Sequence, residues 1–541
     1  MSEKYFAQPS VMSAQSHFSQ VPSAEIQRST FDRSHGYKTT FDAGKLIPFF
    51  IDEVLPADTF NVNSTAFCRL ATPLKPIMDN IYLDTHYFFV PYRLVWENWQ
   101  QFCGEQKTLD DNPNDYTIPT IPFSQLNMDD DSPAAYMGMP QGTNAGTMSV
   151  SALPFRAYKL IWNEWYRDQN LQEPVEVSIT SGTDPNTDFL GPCLPRGKRK
   201  DYFTSALPWP QKGDAVTIPL GKTAPVLTTI DGTVSGVHAA MVFNRSDGTT
   251  VSASALSLDD AGFVRSSSDG GTQETTHGFY PANLYTDLEL ATAYTINDLR
   301  TAFQIQRLLE RDARGGTRYV EIILSHFGVR SDDARLQRPE YLGGGTAYVN
   351  INPIASTAPL PDAPQANLAA IGTSVGKSGF TKSFTEHGIV IGLMSARADL
   401  TYQQGIERFW SRKTRYDFYW PALAHLGEQA ILQKEIYATG VPAEDDKVFG
   451  YQERYAEYRY KPSRITGKFA SANPESLDVW HLSQEFDNAP VLNEEFIIEN
   501  VPIDRIVAVP SEPDFLCDIW IKFKTTRPMP VYSVPGLIDH F

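Results

Sequence analysis

Three stretches of the 541-residue chain concentrate cations: Arg196-Gly197-Lys198-Arg199-Lys200, Arg408 to Trp420 (RFWSRKTRYDFYW) and Arg454 to Lys468 (RYAEYRYKPSRITGK). The last two interleave cations with aromatic rings. Single-stranded nucleic acid is held by that chemistry, because cations follow the phosphates while ring faces stack exposed bases without reading sequence. Arg412, Lys413, Arg415, Arg459 and Lys461 are therefore the candidate DNA contacts. Arg and aromatic residues are also enriched where proteins meet each other, so a subunit interface is the competing reading of the same residues. Glu453, Glu457 and Asp417 pair part of the charge in either case.

Motifs that signal an enzyme do not survive inspection. Gly372-Thr373-Ser374-Val375-Gly376 matches G-x-S-x-G, but a nucleophile elbow needs a buried strand before it and a helix after it. The preceding Pro361-Asp362-Ala363-Pro364-Gln365 has a loop composition, and Lys377-Ser378-Gly379 starts no apolar stripe. Gly376-Lys377-Ser378 lacks the earlier glycine of a phosphate loop, since position 371 is Ile371. Gly343-Gly344-Gly345 reads as a flexible turn with no helix start after it. Asp110 to Asp115 and Asp129-Asp130-Asp131 cluster oxygen ligands, but Asp115 and Ile121 stand where an EF-hand needs Gly and Glu. These are expected to be solvated acidic turns. The histidines form no ligand pair, so no catalytic residue, metal or cofactor is assigned.

Composition narrows the class. Pro (38 residues) and aromatics at 12% favour many short strands joined by rigid loops, since Pro cannot sit inside a central ladder. A net charge of −18 keeps the free protein soluble and confines any DNA contact to local patches. Cys68, Cys103, Cys193 and Cys517 lie far apart without a CxxC pair, so they are expected to be reduced packing residues in a cytoplasmic setting. Residues 1–27 form a polar, Ser- and Gln-rich arm without the apolar core of a secretory signal, which a neighbouring subunit is expected to anchor. The longest apolar run, near Ile389 to Met394, is far short of the roughly 20 residues a bilayer requires, so no membrane insertion is expected.

The elements that must position the candidate residues are mainly strands. Thr59 to Ala71 alternates, with Phe60, Val62, Ala66, Cys68 and Leu70 facing one way and Phe67 the exception on the other face. Ile81 to Val90 puts Ile81, Leu83, Tyr87 and Phe89 on one face and stops at Pro91. Arg318 to Phe327, Ala347 to Ile351, Gly388 to Leu400 and Cys517 to Lys524 read as further strands. Two helices are signalled within the excursions. One starts near Pro154 with Phe155, Tyr158, Ile161, Trp162 and Trp165 at helical spacing; the other runs from a Thr295 cap through Leu299, Ala302, Phe303 and Leu309 to Gly315-Gly316. A shorter helix is expected at Trp96 to Cys103.

Strands scattered over so much chain pair non-locally. The fold expected is an eight-stranded antiparallel jelly roll of the viral capsid type with long helical and β insertions. Its first part spans 28–210 and its second 291–526. Between them, 211–290 is rich in Thr, Ser, Ala, Gly and Asp, with turn signals at Asp231-Gly232, Asp247-Gly248 and Asp269-Gly270, and reads as a surface insertion. Residues 527–541, with three prolines, read as an extended C-terminal arm.

Arg28 to Asp42 (RSTFDRSHGYKTTFD), Ile77 to Arg93 (IMDNIYLDTHYFFVPYR) and Trp96 to Glu105 (WENWQQFCGE) resemble the N-terminal part of the gokushovirus (Microviridae) major capsid protein. Ala157 to Gln172, Leu207 to Gly213 (LPWPQKG), Arg338 to Gly345 (RPEYLGGG) and Glu453 to Lys468 fit the same family, so the resemblance covers most of the chain outside roughly 214–285 and the first 25 residues. It implies a T=1 icosahedral bacteriophage virion in which sixty copies enclose a circular single-stranded DNA genome. Assembly would take place in the bacterial cytoplasm. The insertion would form a host-facing protrusion at the three-fold axes that meets a surface receptor, with Asp231, Gly232, Asp247, Gly248, Asp269 and Gly270 at its turns. A small basic DNA-binding protein, an internal scaffolding protein and a DNA pilot protein would be further partners. Two other classes compete: a jelly-roll carbohydrate-binding or carbohydrate-active protein, which would need two opposed carboxylates in an aromatic cleft, and a nucleic-acid-binding protein that forms no shell, against which the charge of −18 weighs.

Overall fold

The structure, a computed structural model, describes residues 26–216 other than 110, 145 and 186, short strand segments between 226 and 286, and residues 296–357 and 365–532. Residues 1–25 of the expected N-terminal arm and 533–541 of the C-terminal arm lie outside the described residues. The chain divides into two compact units, Met1–Pro210 with Gly315–Phe541, and Gln211–Arg314.

The strands of the first unit include, in chain order, β1 (Ser29–Asp32), β2 (His35–Phe41), β3 (Ile47–Val54), β4 (Thr59–Leu70), β5 (Ile81–Pro91), β6 (Glu340–Tyr348), β7 (Asn350–Ala355), β8 (Leu368–Ser383), β9 (Gly388–Ala398), β10 (Glu428–Leu432), β11 (Val448–Glu453) and β12 (Phe515–Arg527). One antiparallel sheet has the order β1-β12-β4-β8-β7, with β2 also paired to β12; a second has the order β6-β5-β9-β3. β3, β4 and β5 each join the sheet their predecessor did not. The expectation of a mainly β chain is borne out.

Alternation decides which way each strand faces. Phe60, Val62, Ala66, Cys68 and Leu70 of β4 are buried while Asn61, Asn63, Phe67 and Arg69 are exposed; Phe67 does point outward, as the sequence pattern indicates. On β12, Phe515, Cys517, Ile519, Ile521 and Phe523 face inward in the same way. These residues meet Phe50, Tyr87, Phe89 and Val390 of the second sheet in one core, where Phe523 packs edge-to-face with Phe50 at 5.4 Å and Phe60 at 5.0 Å. Burial of each such ring contributes about 1.5–3 kcal/mol, opposed by the entropy of ordering the chain.

Strands β5 and β9 are buried on both faces because a helix covers the side away from that core. Helix α1 (Leu153–Ile161) runs on into a π-helical turn, Trp162–Tyr166, and packs Tyr158, Ile161 and Trp162 with Phe88, Val90 and Ile391. Pro154 sits in its first turn as expected. Arg156 is buried beneath it, held bidentately by Asp184 at 2.7 Å on both oxygens. The short helix expected at Trp96 to Cys103 forms only one turn, Trp99–Phe102.

In the second unit, Val226–Thr228 pairs with Leu284–Thr286, Phe243–Arg245 with Thr250–Val251 and Phe279–Pro281, and Leu256–Leu258 with Val264–Ser266. Helix α2 (Ile296–Arg314) belongs to this unit and carries Asp298 in its first turn and Arg311 and Arg314 in its last, which suits the helix dipole. Thr295 and the turn residues Asp231, Gly232, Asp247, Gly248, Asp269 and Gly270 lie outside the described residues.

Several expectations are overturned. Arg318 to Phe327 is not a strand but helix α3 (Tyr319–Phe327): the Glu321 carboxylate accepts the Arg318 amide at 3.0 Å, and Gly328, at φ 69°, ends it in the left-handed region. Those local caps outweigh the β-branched Val320, Ile322 and Ile323. Gly343-Gly344-Gly345 is not a turn but part of β6, where a side chain at Gly344 would run into the Thr85 carbonyl of β5. The strand expected at Ala347 to Ile351 is interrupted at Val349, between β6 and β7. Gly372 to Gly376 lies within β8, a strand the small residues concealed, and Ser374 is buried there with no helix following. Not all four cysteines are free: Cys68 and Cys517 stand opposite each other on β4 and β12, Cα to Cα 4.2 Å, in a disulfide that spans 449 residues of sequence. Only strand register brings them together, so spacing could not reveal the bond. Cys103 and Cys193 are free.

Two expected outcomes follow from this frame. Reduction, or Cys517→Ala, lowers the unfolding free energy by about 2–4 kcal/mol in a denaturant titration; identical curves with and without reductant would show that the bond contributes nothing. Asp514, at the head of β12, accepts the Ala43 amide at 2.9 Å, yet burial, with Asp42 and Asp504 nearby, pushes its carboxyl up to about 6 from 3.8. The folded state therefore binds this proton more tightly, and stability from this group is greatest below pH 4 and is lost as pH rises to 6. Asp514→Asn should raise the melting temperature more at pH 7.5 than at pH 4.5, and an equal shift at both would contradict the assignment.

Candidate nucleic-acid interface

The aromatic and cationic segments 408–426 and 454–461 are carried by the hairpin of β10 and β11, which pair antiparallel from Glu428↔Glu453 to Leu432↔Val448 with a bulge near Ile431. Ile431 and Phe449 turn inward onto Tyr202, Phe203, Ile436 and Phe496 in a core of their own. The opposite side of the hairpin is thereby free to present the loops.

Under the loops lies a layer of paired charge. Arg408 donates to the Ala430 carbonyl at 2.6 Å and to the Glu435 carboxylate at 2.8 Å, whose other oxygen accepts the Tyr202 hydroxyl at 3.0 Å. Burial raises the Glu435 carboxyl above its usual range, against the pull of Arg408. Arg412 donates to Glu457 at 3.3 Å with side-chain exposures of only 12% and 10%, and its guanidinium lies over the Tyr458 ring at 4.4 Å. Lys461 and Arg464 share Glu407 at 2.8 and 3.4 Å, and Arg459 pairs with Glu453. A cavity of about 240 Å³ opens here, walled by Tyr202, Phe203, Arg408, Phe409, Tyr460 and Lys461.

The candidate residues therefore divide. Arg412 is sunk in an ion pair, and Arg459 and Lys461 have carboxylate partners. Lys413 and Arg415 stand exposed at the tip, on a turn fixed by Asp417, which accepts the Thr414 and Lys413 amides at 2.7 and 2.9 Å. Those amides hold the Asp417 carboxyl below its usual range. Arg415 leans on the Trp420 and Tyr416 rings at 5.4 and 5.6 Å. Around this tip Phe409, Trp410, Tyr416, Phe418, Tyr419, Trp420, Tyr458 and Tyr460 are each at least 45% exposed. Exposed apolar side chains gathered in one region are the kind of surface that interaction sites present.

The sequence pattern neither separates the paired cations from the exposed ones nor reveals the trio of Arg408, Glu435 and Tyr202, which unites residues more than two hundred positions apart. The first basic stretch is absorbed by the fold: Lys198 is buried over the Phe496 ring at 4.5 Å, Arg199 pairs with Asp399 at 2.8 Å and Lys200 with Asp168 at 2.6 Å. Asp111 closes its own turn, accepting the Lys107 and Thr108 amides. Among the described residues no group of three His, Cys, Asp or Glu side chains could hold a metal ion, and no helix is long and apolar enough to cross a membrane.

Similarity to known proteins gives this geometry its context. The model of the family described as capsid protein (F protein) matches residues 19–537. Capsid protein VP1 of Bdellovibrio phage phiMH2K is 48% identical over 537 residues, 97% of this chain and 98% of that protein. Capsid protein VP1 of Chlamydia phage 1 is 45% identical, with 98% of each chain covered, and that of Spiroplasma virus 4 is 35% identical, with 96% and 97% covered. The resemblance to gokushovirus capsid proteins carried by Arg28 to Glu105 is borne out. With nearly its whole length inside the family model and inside three capsid proteins, the chain belongs to the capsid protein (F protein) family of phages.

Proposed function

We propose that the chain is the tile of a small closed icosahedral shell, sixty copies of which enclose a circular single-stranded DNA genome. The observation that carries the reading is the exposed aromatic face around the β10–β11 hairpin, in a chain whose family builds capsids. A monomer has no use for eight rings in water, whereas obligate interfaces commonly bury roughly 2,000 Å² or more of such surface. The strand succession supports the eight-stranded jelly-roll reading: β2, β12, β4 and β8 stand side by side in one sheet, and β3, β9, β5 and β6 in the other. Residues 211–290 as the host-facing three-fold protrusion, and a small basic protein, scaffolding protein, pilot protein and surface receptor as partners, are what membership of this family suggests.

A carbohydrate-active reading is less well supported. The cavity beside Phe409 does hold Glu407, Glu435 and Glu457 among aromatic rings, but each carboxylate is tied to a cation. No catalytic role is assigned to them.

Expression of the chain and electron microscopy of the product test the proposal: uniform closed spheres are expected, and a persistent monomer that binds or cleaves glycans would overturn it. Within such particles, Lys413→Ala with Arg415→Ala should reduce packaged DNA while shells still form, and unchanged genome content would remove these residues from the inner wall. Arg412→Ala acts differently, because it leaves Glu457 without its cation. A loss of about 3 kcal/mol in urea denaturation is expected, and unaltered stability would show that the pair is not structural.

A further inference from the structure

The core side of the sheet formed by β1, β2, β12, β4, β8 and β7 is apolar, as its position demands. Its other side carries residues that position does not explain. Strand register sets them in rows: Lys38, Asp518, Phe67 and Val375 in one; Gly36, Trp520, Thr65 and Lys377 in the next; then Lys522 beside Asn63 and Lys524 beside Asn61. On the far side of the Phe67 row, Leu516 lies opposite Arg69. Trp520 is 57% exposed, Val375 62% and Phe67 45%. The indole lies beside Gly36, where a Cβ would stand 3.8 Å from the ring, and Trp520 keeps more than half of its surface in solvent.

Charge on this face runs against the rest of the molecule. Lys38, Arg69, Lys377, Lys522 and Lys524 are all exposed, and Lys38 is ion-paired with Asp518 at 3.0 Å. The other nearby carboxylates are Asp32 and, where the face runs into an open groove of about 1050 Å³ beside the turn Pro133–Tyr136, Asp130. The Ser34 hydroxyl and amide hold the Asp32 carboxyl below its usual range, and Lys524 and Lys522 add to the effect. Cations therefore outnumber carboxylates here on a chain of net charge −18.

We infer that this face is a second contact for single-stranded nucleic acid, separate from the hairpin loops: Trp520 and Phe67 stack bases while Lys377, Lys522, Lys524 and Arg69 follow the phosphates. Exposed rings with cations beside them are what sequence-independent single-strand binding requires. A second copy of the chain is a poorer occupant, since lysine is depleted at the centre of protein interfaces and these cations would meet a partner of like composition. The inference rests on the shell reading only for the identity of the natural strand; the contact itself is a property of the sheet.

The test is fluorescence anisotropy of a labelled oligothymidylate with the full-length chain before assembly. Trp520→Ala should weaken binding about tenfold, the order expected for one lost stacking contact, while Trp520→Phe, which keeps a ring, should retain most of it. Lys522→Ala with Lys524→Ala should reduce the slope of log affinity against log salt by about 1.4, from roughly 0.7 per phosphate on single strands. All these side chains are exposed, so circular dichroism should be unchanged. Affinity within twofold of the parent for both Trp520→Ala and the double lysine variant would overturn the inference, as would a Trp520→Ala chain that binds normally but no longer self-associates. Failure of the parent to form shells while these shifts persist would count against the shell reading alone.

Discussion

The pairing of β12 with β4 is the contact on which the rest of the structure depends. It joins Phe515–Arg527 to Thr59–Leu70 in an unbroken register at the middle of the larger sheet, and β1, β2 and β8 reach that sheet only through these two strands. The disulfide between Cys68 and Cys517 lies within this register. Closing so long a loop costs little more entropy than closing a shorter one, because the penalty grows only with the logarithm of length. The chain can therefore place long excursions between neighbouring strands without losing the sheet. Folding is expected to be slow for the same reason, since few of the decisive contacts are local.

Those excursions carry the smaller cores and the exposed loops. Helix α1 covers one side of the β5 and β9 layer, and the β10–β11 hairpin carries the exposed aromatic loops. In both, buried charge is compensated before the surface is built: Arg156 by Asp184, Arg408 by Glu435, Arg412 by Glu457. What reaches solvent is left free to meet partners. Acidity elsewhere on the chain favours solubility, and the cationic sheet face around Trp520 departs from that background.

Strong periodicity was legible in the sequence. The alternation of β4 and β12, the one-faced pattern of β5 ending at Pro91, the apolar run of β9 and the helical spacing from Phe155 to Trp162 all correspond to observed elements, because there burial and local preference agree. Strand β8 was hidden by Gly372, Gly376 and Gly379, which fit close to neighbouring strands but give no hydrophobic signal. Helix α3 was misread because Val320, Ile322 and Ile323 favour strands while the deciding caps, Glu321 and Gly328, are single residues. At the candidate site the cation and aromatic content was visible, but which cations were engaged was not: Arg412 meets Glu457, forty-five positions away, and the Tyr458 ring, while its neighbour Lys413 is exposed. The alternation that buries Ile519 and Ile521 also implied an outward Trp520, whose significance emerges only once Phe67, Lys377 and Gly36 are set beside it by register.

The shell reading requires the chain to close on copies of itself through the exposed aromatic surface around the β10–β11 hairpin. Sedimentation velocity of the purified chain over a concentration series tests it most directly, because a closed symmetric assembly populates its end state at the expense of intermediates. The account predicts a monomer or small precursor and one large, sharply bounded species, with nothing stable between. A monomer at every concentration, or a continuous ladder that lengthens as protein is added, would contradict it.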